Sequence, residues 1–389
     1  MSLQRPEELG ITQFELVVTE NCNSKCTYCF DNYFAGQRIN TKDPTRWMQP
    51  ELIPDLIKFM DKTCADPKQE KRLNIHYIGG EPLMNFEFMK ASVPAFREHF
   101  GPRVTFSINT NILLITDEIL EMFVKYNFNI TTSIDGGRES HNAHRGNWEK
   151  VIENLIRIKA AFLDAKGPGA DVAAIGAVFV VSADRSDYVV EDYRTLSKFC
   201  NCRINLNAED PLWTDQKVDD VCNAIRTIAA TTPDFFSGDL VSGFEPKYWT
   251  AIEGNGSPFF CHTPIHNVTI NPMGKLFFCH RLTPKSYEFT PEFSEFYGDI
   301  YQGYYNTDYY TSMIECRVGG SNMFEDCKTC KYVNMCRQNC RAVHIANGGK
   351  VNKIMCKYIQ TYFDLLEQHY GRALNEKPNR GDLNANLCT

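Results

Sequence analysis

Three thiols lie within eight residues near the start of the chain. In VVTENCNSKCTYCFDN, residues 17–32, Cys22, Cys26 and Cys29 stand at C-x3-C-x2-C spacing, with Tyr28 directly before the third Cys. Thiolates so spaced bind metal. A structural zinc site closes on four ligands, and no His or Cys follows nearby to complete one. Three thiolates equally suit a 4Fe-4S cluster, and would leave one iron without a protein ligand and open to a small molecule. A second set of cysteines follows much later: Cys261, then Gly274 after twelve residues and Cys279 after four more, then Cys327-x2-Cys330-x5-Cys336-x3-Cys340, and finally Cys356. Because C-x2-C is also a zinc-knuckle spacing, a pair of zinc ribbons and a pair of iron–sulfur sites both remain open for this part.

These motifs need a body that positions them. A length of 389 residues with 43% hydrophobic composition allows a large core, as one big domain plus a smaller one. No run of 18 apolar residues occurs and MSLQRPEELG carries no basic or apolar targeting segment, so a cytoplasmic enzyme without a membrane partner is expected. The net charge of -7 argues against broad nucleic-acid binding. The 16 cysteines are clustered in a long chain, which points to reduced, metal-binding thiols rather than disulfides. Six lie outside the motifs, at 64, 200, 202, 222, 316 and 388.

Short β-rich runs alternate with helical patterns. Residues 13–19, 73–78, 103–108, 128–134, 173–181 and 203–208 read as strands, and between them residues 49–64, 86–100, 116–127, 147–164 and 186–200 carry helical spacing, with Thr116 and Ser186 as expected caps. Strand alternating with helix implies an α/β fold with a parallel sheet, whose chemistry gathers at the C-terminal strand ends. The three thiols follow the first strand directly. The second strand runs into Gly79-Gly80-Glu81-Pro82, where glycine permits close backbone approach and Glu81 offers an acceptor for an ammonium. The β/α rhythm is lost between 211 and 260, and YQGYYNTDYY (301–310) reads as packing or interface surface. The expected organisation is a tail over 1–12, a barrel over 13–210, a bridging region over 211–260, a cysteine-rich domain over 261–360 and a C-terminal helix and tail over 361–389.

The Cys loop, the GGEP turn 50 residues later and SIDGGRESHNAHRG (133–146) together resemble the radical S-adenosylmethionine (SAM) superfamily, and the seven later cysteines resemble its SPASM extension. The resemblance implies a partial (β/α)6 barrel, SAM and three 4Fe-4S clusters. Cys22, Cys26 and Cys29 would hold the first cluster, on whose open iron SAM is cleaved to a 5'-deoxyadenosyl radical. Tyr28, Gly79, Gly80, Glu81, Pro82, Asn109, Ser133, Asp135 and Arg145 would bind SAM. SINTN (107–111) departs from the family pattern, because Ile112 stands where relatives have glycine. The resemblance also gives Cys261, Cys279 and Cys340 to one auxiliary cluster and Cys327, Cys330, Cys336 and Cys356 to the other. Sulfatase-maturase relatives complete the first of these with a further Cys near its first ligand; here Cys316 is the expected fourth ligand, or else one iron is open.

The same resemblance implies a peptide or protein substrate and an electron donor such as flavodoxin or ferredoxin. Oxidation of a ribosomally made peptide, closing a thioether or carbon–carbon crosslink, is the first expectation. Formylglycine formation on a sulfatase is the alternative: its enzymes carry an Asp as proton acceptor after the Cys that matches Cys279, whereas this chain has His280, an imidazole able to accept a proton. A small-molecule dehydrogenase and a non-enzymatic metal module rank lower.

Overall fold

The computed structural model describes residues 10–29, 42–64, 71–167, 175–233, 235–236, 244–252, 261, 266–283, 297–304, 308, 311–312, 315–316 and 318–370. Half of the Tyr-rich patch, Cys388 and the tail beyond residue 370 lie outside the described residues.

Six strands alternate with helices: β1 (Gln13–Thr19), β2 (Leu73–Gly79), β3 (Val104–Thr110), β4 (Asn129–Ser133), β5 (Ile175–Val181) and β6 (Asn201–Leu206). Each pairs in parallel with the next. A seventh strand, β7 (Asn267–Ile270), joins the free edge of β1, also in parallel. The short strands β8 (Lys275–Phe277), β9 (Gly298–Asp299) and β10 (Gly303–Tyr304) then extend that edge in antiparallel fashion. The cysteine-rich part is therefore hydrogen-bonded to the barrel sheet through β7, and β8 delivers Cys279 and His280 next to the first strand.

Alternation along the strands sorts two faces. Leu73, Ile75 and Tyr77 of β2 and Val104, Phe106 and Ile108 of β3 are fully buried beneath the outer helices, where Tyr77 and Phe106 each stack on Phe128. The opposite face lines the lumen and is polar. Gln13, Asn74 and Thr105 form one row in register across β1–β3, and Glu15, His76 and Ser107 the next. A closed parallel barrel fills this space with branched aliphatic side chains; here it is a ladder of hydrogen-bonding groups leading up to the cavity.

The helix over 117–125 starts where expected, with Thr116 accepting from the Ile119 amide at 3.3 Å and Asp117 and Glu118 in the first turn. Ser186 is not a cap. It lies inside a 3-10 turn, Ala183–Tyr188, and the α-helix begins at Val189 without a side-chain cap. The bridging region holds two helices, Asp215–Thr231 and Glu245–Ile252. The C-terminal helix Lys353–Tyr370 is fastened to the barrel by Tyr358, whose hydroxyl donates to the Ile204 carbonyl, and by a stack of Tyr362 on Phe244.

Candidate active site

The C-terminal ends of the strands surround a cavity of about 410 Å³. Cys22, Cys26, Cys29 and Tyr28 line it with Gly79, Gly80, Glu81, Asn109, Ser133 and Arg145, as do Asn205, Asn207, Glu209, His280 and Arg281. Its size suits a drug-sized ligand. Among the described residues no three His, Cys, Asp or Glu side chains converge closely enough to chelate one ion.

Backbone contact sets the relation between the Cys loop and the second strand. A Cβ on Gly79 would lie 2.2 Å from the Thr19 carbonyl oxygen, and one on Gly80 2.1 Å from that of Asn21. The glycines thus let the end of β2 press on the chain leading into Cys22, and the Gly80 and Glu81 amides donate to those same carbonyls at 2.9 and 2.8 Å. Glu81 is 1% exposed. Its carboxylate accepts from the Leu83 amide at 3.0 Å, the Thr110 hydroxyl at 2.7 Å and the Asn111 amide at 2.7 Å. Burial raises its pKa to about 7 against these hydrogen bonds. The side chain expected to receive an ammonium is thus engaged in joining β2 to β3. Pro82 is a further correction: it opens a buried 3-10 turn and does not line the cavity.

Asp135, unlike Glu81, is behind the wall rather than in it. At 2% exposure it accepts from Arg145 Nε at 2.7 Å, from the Tyr28 hydroxyl and from the Val180 amide at 2.9 Å. Its two oxygens are used in orienting groups that do reach the cavity. Arg145 stacks on the Tyr28 ring, 5.1 Å from its centroid, and its Nη1 lies 3.7 Å from Cys26 Sγ. Burial opposes the charge on Arg145, but Asp135, Tyr28 and Cys26 together outweigh it and move the pKa upward. His141 is structural. It accepts the Asp135 amide at Nδ1, so Nε2 carries the proton that is donated to the Gly146 carbonyl at 3.0 Å, and burial lowers its pKa to about 4. Ile112 holds a left-handed φ of 52° while fully buried, so a branched side chain occupies a conformation that suits glycine. Beside it, the Asn111 side chain donates to Asn23 at 2.7 Å and Ser24 at 3.0 Å, tying β3 to the Cys loop.

In the turn after β8, His280 Nδ1 lies 3.3 Å from Glu15 Oε2, which also accepts from the Thr269 hydroxyl at 2.6 Å. Burial would raise the Glu15 pKa, yet the charges of His280 and His76 together with these hydrogen bonds hold it at about 2. An ionised Glu15 fixes the proton of His280 on Nδ1 and leaves Nε2 as the acceptor. Arg281 pairs with Glu209 at the rim and gives its backbone amide to Cys279 Sγ at 3.3 Å. Glu15 was absent from the expected site. Its signal in the sequence is a lone acid at the centre of QFELVVT, a strand otherwise apolar around it.

The later cysteines form two groups. Cys327, Cys330, Cys336 and Cys356 line one cavity of about 440 Å³. Burial, then mutual repulsion, pushes the thiols of Cys327 and Cys356 up to about 11. Cys279 is raised by burial and by the charges of Glu15, Cys340 and Cys261, which places the expected three-thiol group in one electrostatic neighbourhood. The Cys316 thiol donates to the Ser312 carbonyl at 3.3 Å, and the charges acting on it are Arg341 and Glu315.

Comparison with known proteins places this geometry. Residues 16–168 match the model of the radical SAM superfamily. The chain carries a radical SAM domain. That family implies SAM and a 4Fe-4S cluster, and Cys22, Cys26 and Cys29 share the cavity at the strand ends. The radical SAM cyclopropyl synthase TigE of Paramaledivibacter caminithermalis is 27% identical over 282 residues, 69% of this chain and 57% of the relative, so the chain spans little more than half of that protein. A cysteine-type anaerobic sulfatase-maturating enzyme of Clostridium novyi is 21% identical over 89% of this chain and 92% of its own length. The structure of anSMEcpe with bound AdoMet and Cp18Cys peptide superimposes with a TM-score of 0.66 at 18% identity, covering 93% of this chain and 99% of that one, and shows a shared fold. Among the described residues no helix is long and apolar enough to cross a membrane.

Proposed function

We propose that the protein oxidises a side chain of a ribosomally made peptide and closes an intramolecular bond in it. The observation that carries the reading is that Cys22, Cys26 and Cys29 share one cavity with a His280 held by Glu15. Closing such a bond removes one hydrogen atom, one proton and one electron from the peptide. When bound, SAM and the iron–sulfur groups supply the hydrogen-abstracting radical and the electron acceptor. Tyr28, Gly79, Gly80, Asn109, Ser133 and Arg145 line the SAM half, with Asp135 positioning Tyr28 and Arg145 from behind. His280 takes the substrate proton at Nε2, and Asn205, Asn207, Glu209 and Arg281 face the peptide. Cys327, Cys330, Cys336 and Cys356 hold one auxiliary cluster, and Cys261, Cys279 and Cys340 hold the other with three thiolates. The relatives support this reading, since one is named a cyclopropyl synthase and the superimposed fold was solved with a peptide.

Formylglycine formation is the second reading, favoured by the match to a sulfatase maturase over nearly the full length of both chains. Anaerobic incubation with SAM, dithionite and the short peptides encoded beside the gene, followed by mass spectrometry, separates the two. A loss of about 2 Da without cleavage, retained after trypsin and iodoacetamide, supports intramolecular closure. Modification only of a sulfatase-derived Cys or Ser peptide refutes it.

A further inference from the structure

The residues between Cys336 and Cys340 are all left-handed: Arg337, Gln338 and Asn339 hold φ of 50°, 64° and 61°, and none is glycine. Such a run persists only where its surroundings over-determine it. Gln338 provides one restraint, its side chain accepting the Phe324 amide at 2.8 Å and donating to the Cys316 carbonyl. His344 provides another: its Nδ1 accepts the Asn352 amide at 3.2 Å, so Nε2 carries the proton given to the Gln338 carbonyl. The restrained turn sets Asn339 between the two later groups of thiols. Its backbone amide serves the Cys336 side, donating to the Cys336 carbonyl at 2.9 Å and to the thiol. Its side chain serves the Cys340 side, with Oδ1 accepting the Cys340 amide at 2.6 Å. Nδ2 of the same carboxamide is buried and has no hydrogen-bond partner, in a residue only 6% exposed.

A buried amide nitrogen that donates to nothing is costly, and calls for an acceptor. The sulfurs of an iron–sulfur cluster are such acceptors, and the Cys340 thiol beside this carboxamide shares an electrostatic neighbourhood with Cys279. Arg341 Nε is also buried without a partner, but its guanidinium lies over the Phe324 ring, 5.2 Å from the centroid, and its charge acts on Cys316. Asn339 is therefore the donor placed for Cys340. We propose that Asn339 Nδ2 donates to a sulfur of the cluster held by Cys261, Cys279 and Cys340, and so favours the reduced form of that cluster. Reduction adds one negative charge, which an N–H dipole stabilises. The cluster is thereby a better acceptor for the one electron released as the peptide crosslink closes. The inference rests on the reading of those three cysteines as cluster ligands.

Potentiometry read by electron paramagnetic resonance tests it, in full-length Cys22→Ala/Cys26→Ala/Cys29→Ala protein, where only the later clusters remain. Asn339→Gly suits the left-handed φ and removes the donor, whereas Asn339→Asp removes the donor but keeps the acceptor for the Cys340 amide. In both, one of the two couples should become roughly tenfold harder to reduce, about 59 mV lower for a one-electron couple, while the other is unchanged. Parent protein carrying nitrogen-15 in its Asn side chains should show a nitrogen coupling to the reduced cluster in pulsed spectra, lost in Asn339→Gly. Iron and sulfide content reports the underlying reading separately: a background protein without iron for two clusters overturns the ligand assignment, and the proposal with it. With both clusters loaded, the Asn339 assignment alone is overturned by an unchanged potential in Asn339→Gly, by a fall in Asn339→Asp only, which its added charge explains, or by absence of the nitrogen coupling.

Discussion

Replacing Glu15 by Gln removes one charge while keeping the shape of the side chain. Thr269 retains an acceptor at 2.6 Å, but the partner of His280 Nδ1 becomes neutral. The pKa of Glu15 falls from 4.5 to about 2 on folding. Each unit is worth 1.36 kcal/mol, so the ionised carboxylate contributes roughly 3 kcal/mol relative to its protonated form at pH 5.5. Because the folded pKa is depressed, this stabilisation is present above the unfolded value and is lost as pH falls through the folded one; at pH 3 roughly half remains. The variant should unfold at lower urea than the parent at pH 5.5, with the gap closing toward pH 3. Peptide modification should fall roughly ten- to hundredfold as His280 loses its orientation, while SAM cleavage without peptide persists. A midpoint difference that widens on acidification, or a variant as active as the parent, would refute the Glu15–His280 pairing.

Four other outcomes follow from named contacts. The Cys22→Ala/Cys26→Ala/Cys29→Ala variant should release no 5'-deoxyadenosine under dithionite, read by liquid chromatography. In that same background Cys316→Ala should leave iron content and the electron paramagnetic resonance signal unchanged, because the thiol is turned to Ser312; loss of a cluster signal would restore it as a ligand. Asp135→Asn should cost about 3 to 5 kcal/mol in chemical denaturation and weaken SAM binding, since Arg145 would be left buried without its counter-charge. Gly136→Ala, at φ 64° and with a Cβ 2.3 Å from the Asp192 side chain, should lose about 2 to 4 kcal/mol and detach Asp192 from the Gly137 amide.

What could be read from the sequence was chemistry fixed by local spacing. The period-2 strands placed Cys22 at the end of β1 and Gly79-Gly80 at the end of β2, so a shared cavity at the strand ends followed from α/β topology alone. Roles that depend on which way a side chain turns were not legible. Glu81 and Asp135 were expected to touch ligand because acids near a motif can accept an ammonium or hold a polar group. The fold places Asp135 behind the cavity wall among protein donors, whereas Glu81 lines the cavity with its carboxylate also held by the Asn111 amide. Glu15 shows the reverse case. A single acid in an apolar strand costs several kcal/mol unless it is compensated, and the compensating groups, His280 and Thr269, lie more than 250 residues away in sequence, on a strand whose parallel pairing with β1 and a neighbouring turn bring them close. An isolated charge inside a strand pattern is thus itself a long-range restraint: it requires partners from an adjoining strand. Here that requirement selects the His280 turn, and so connects the cysteine-rich region to the floor of the cavity.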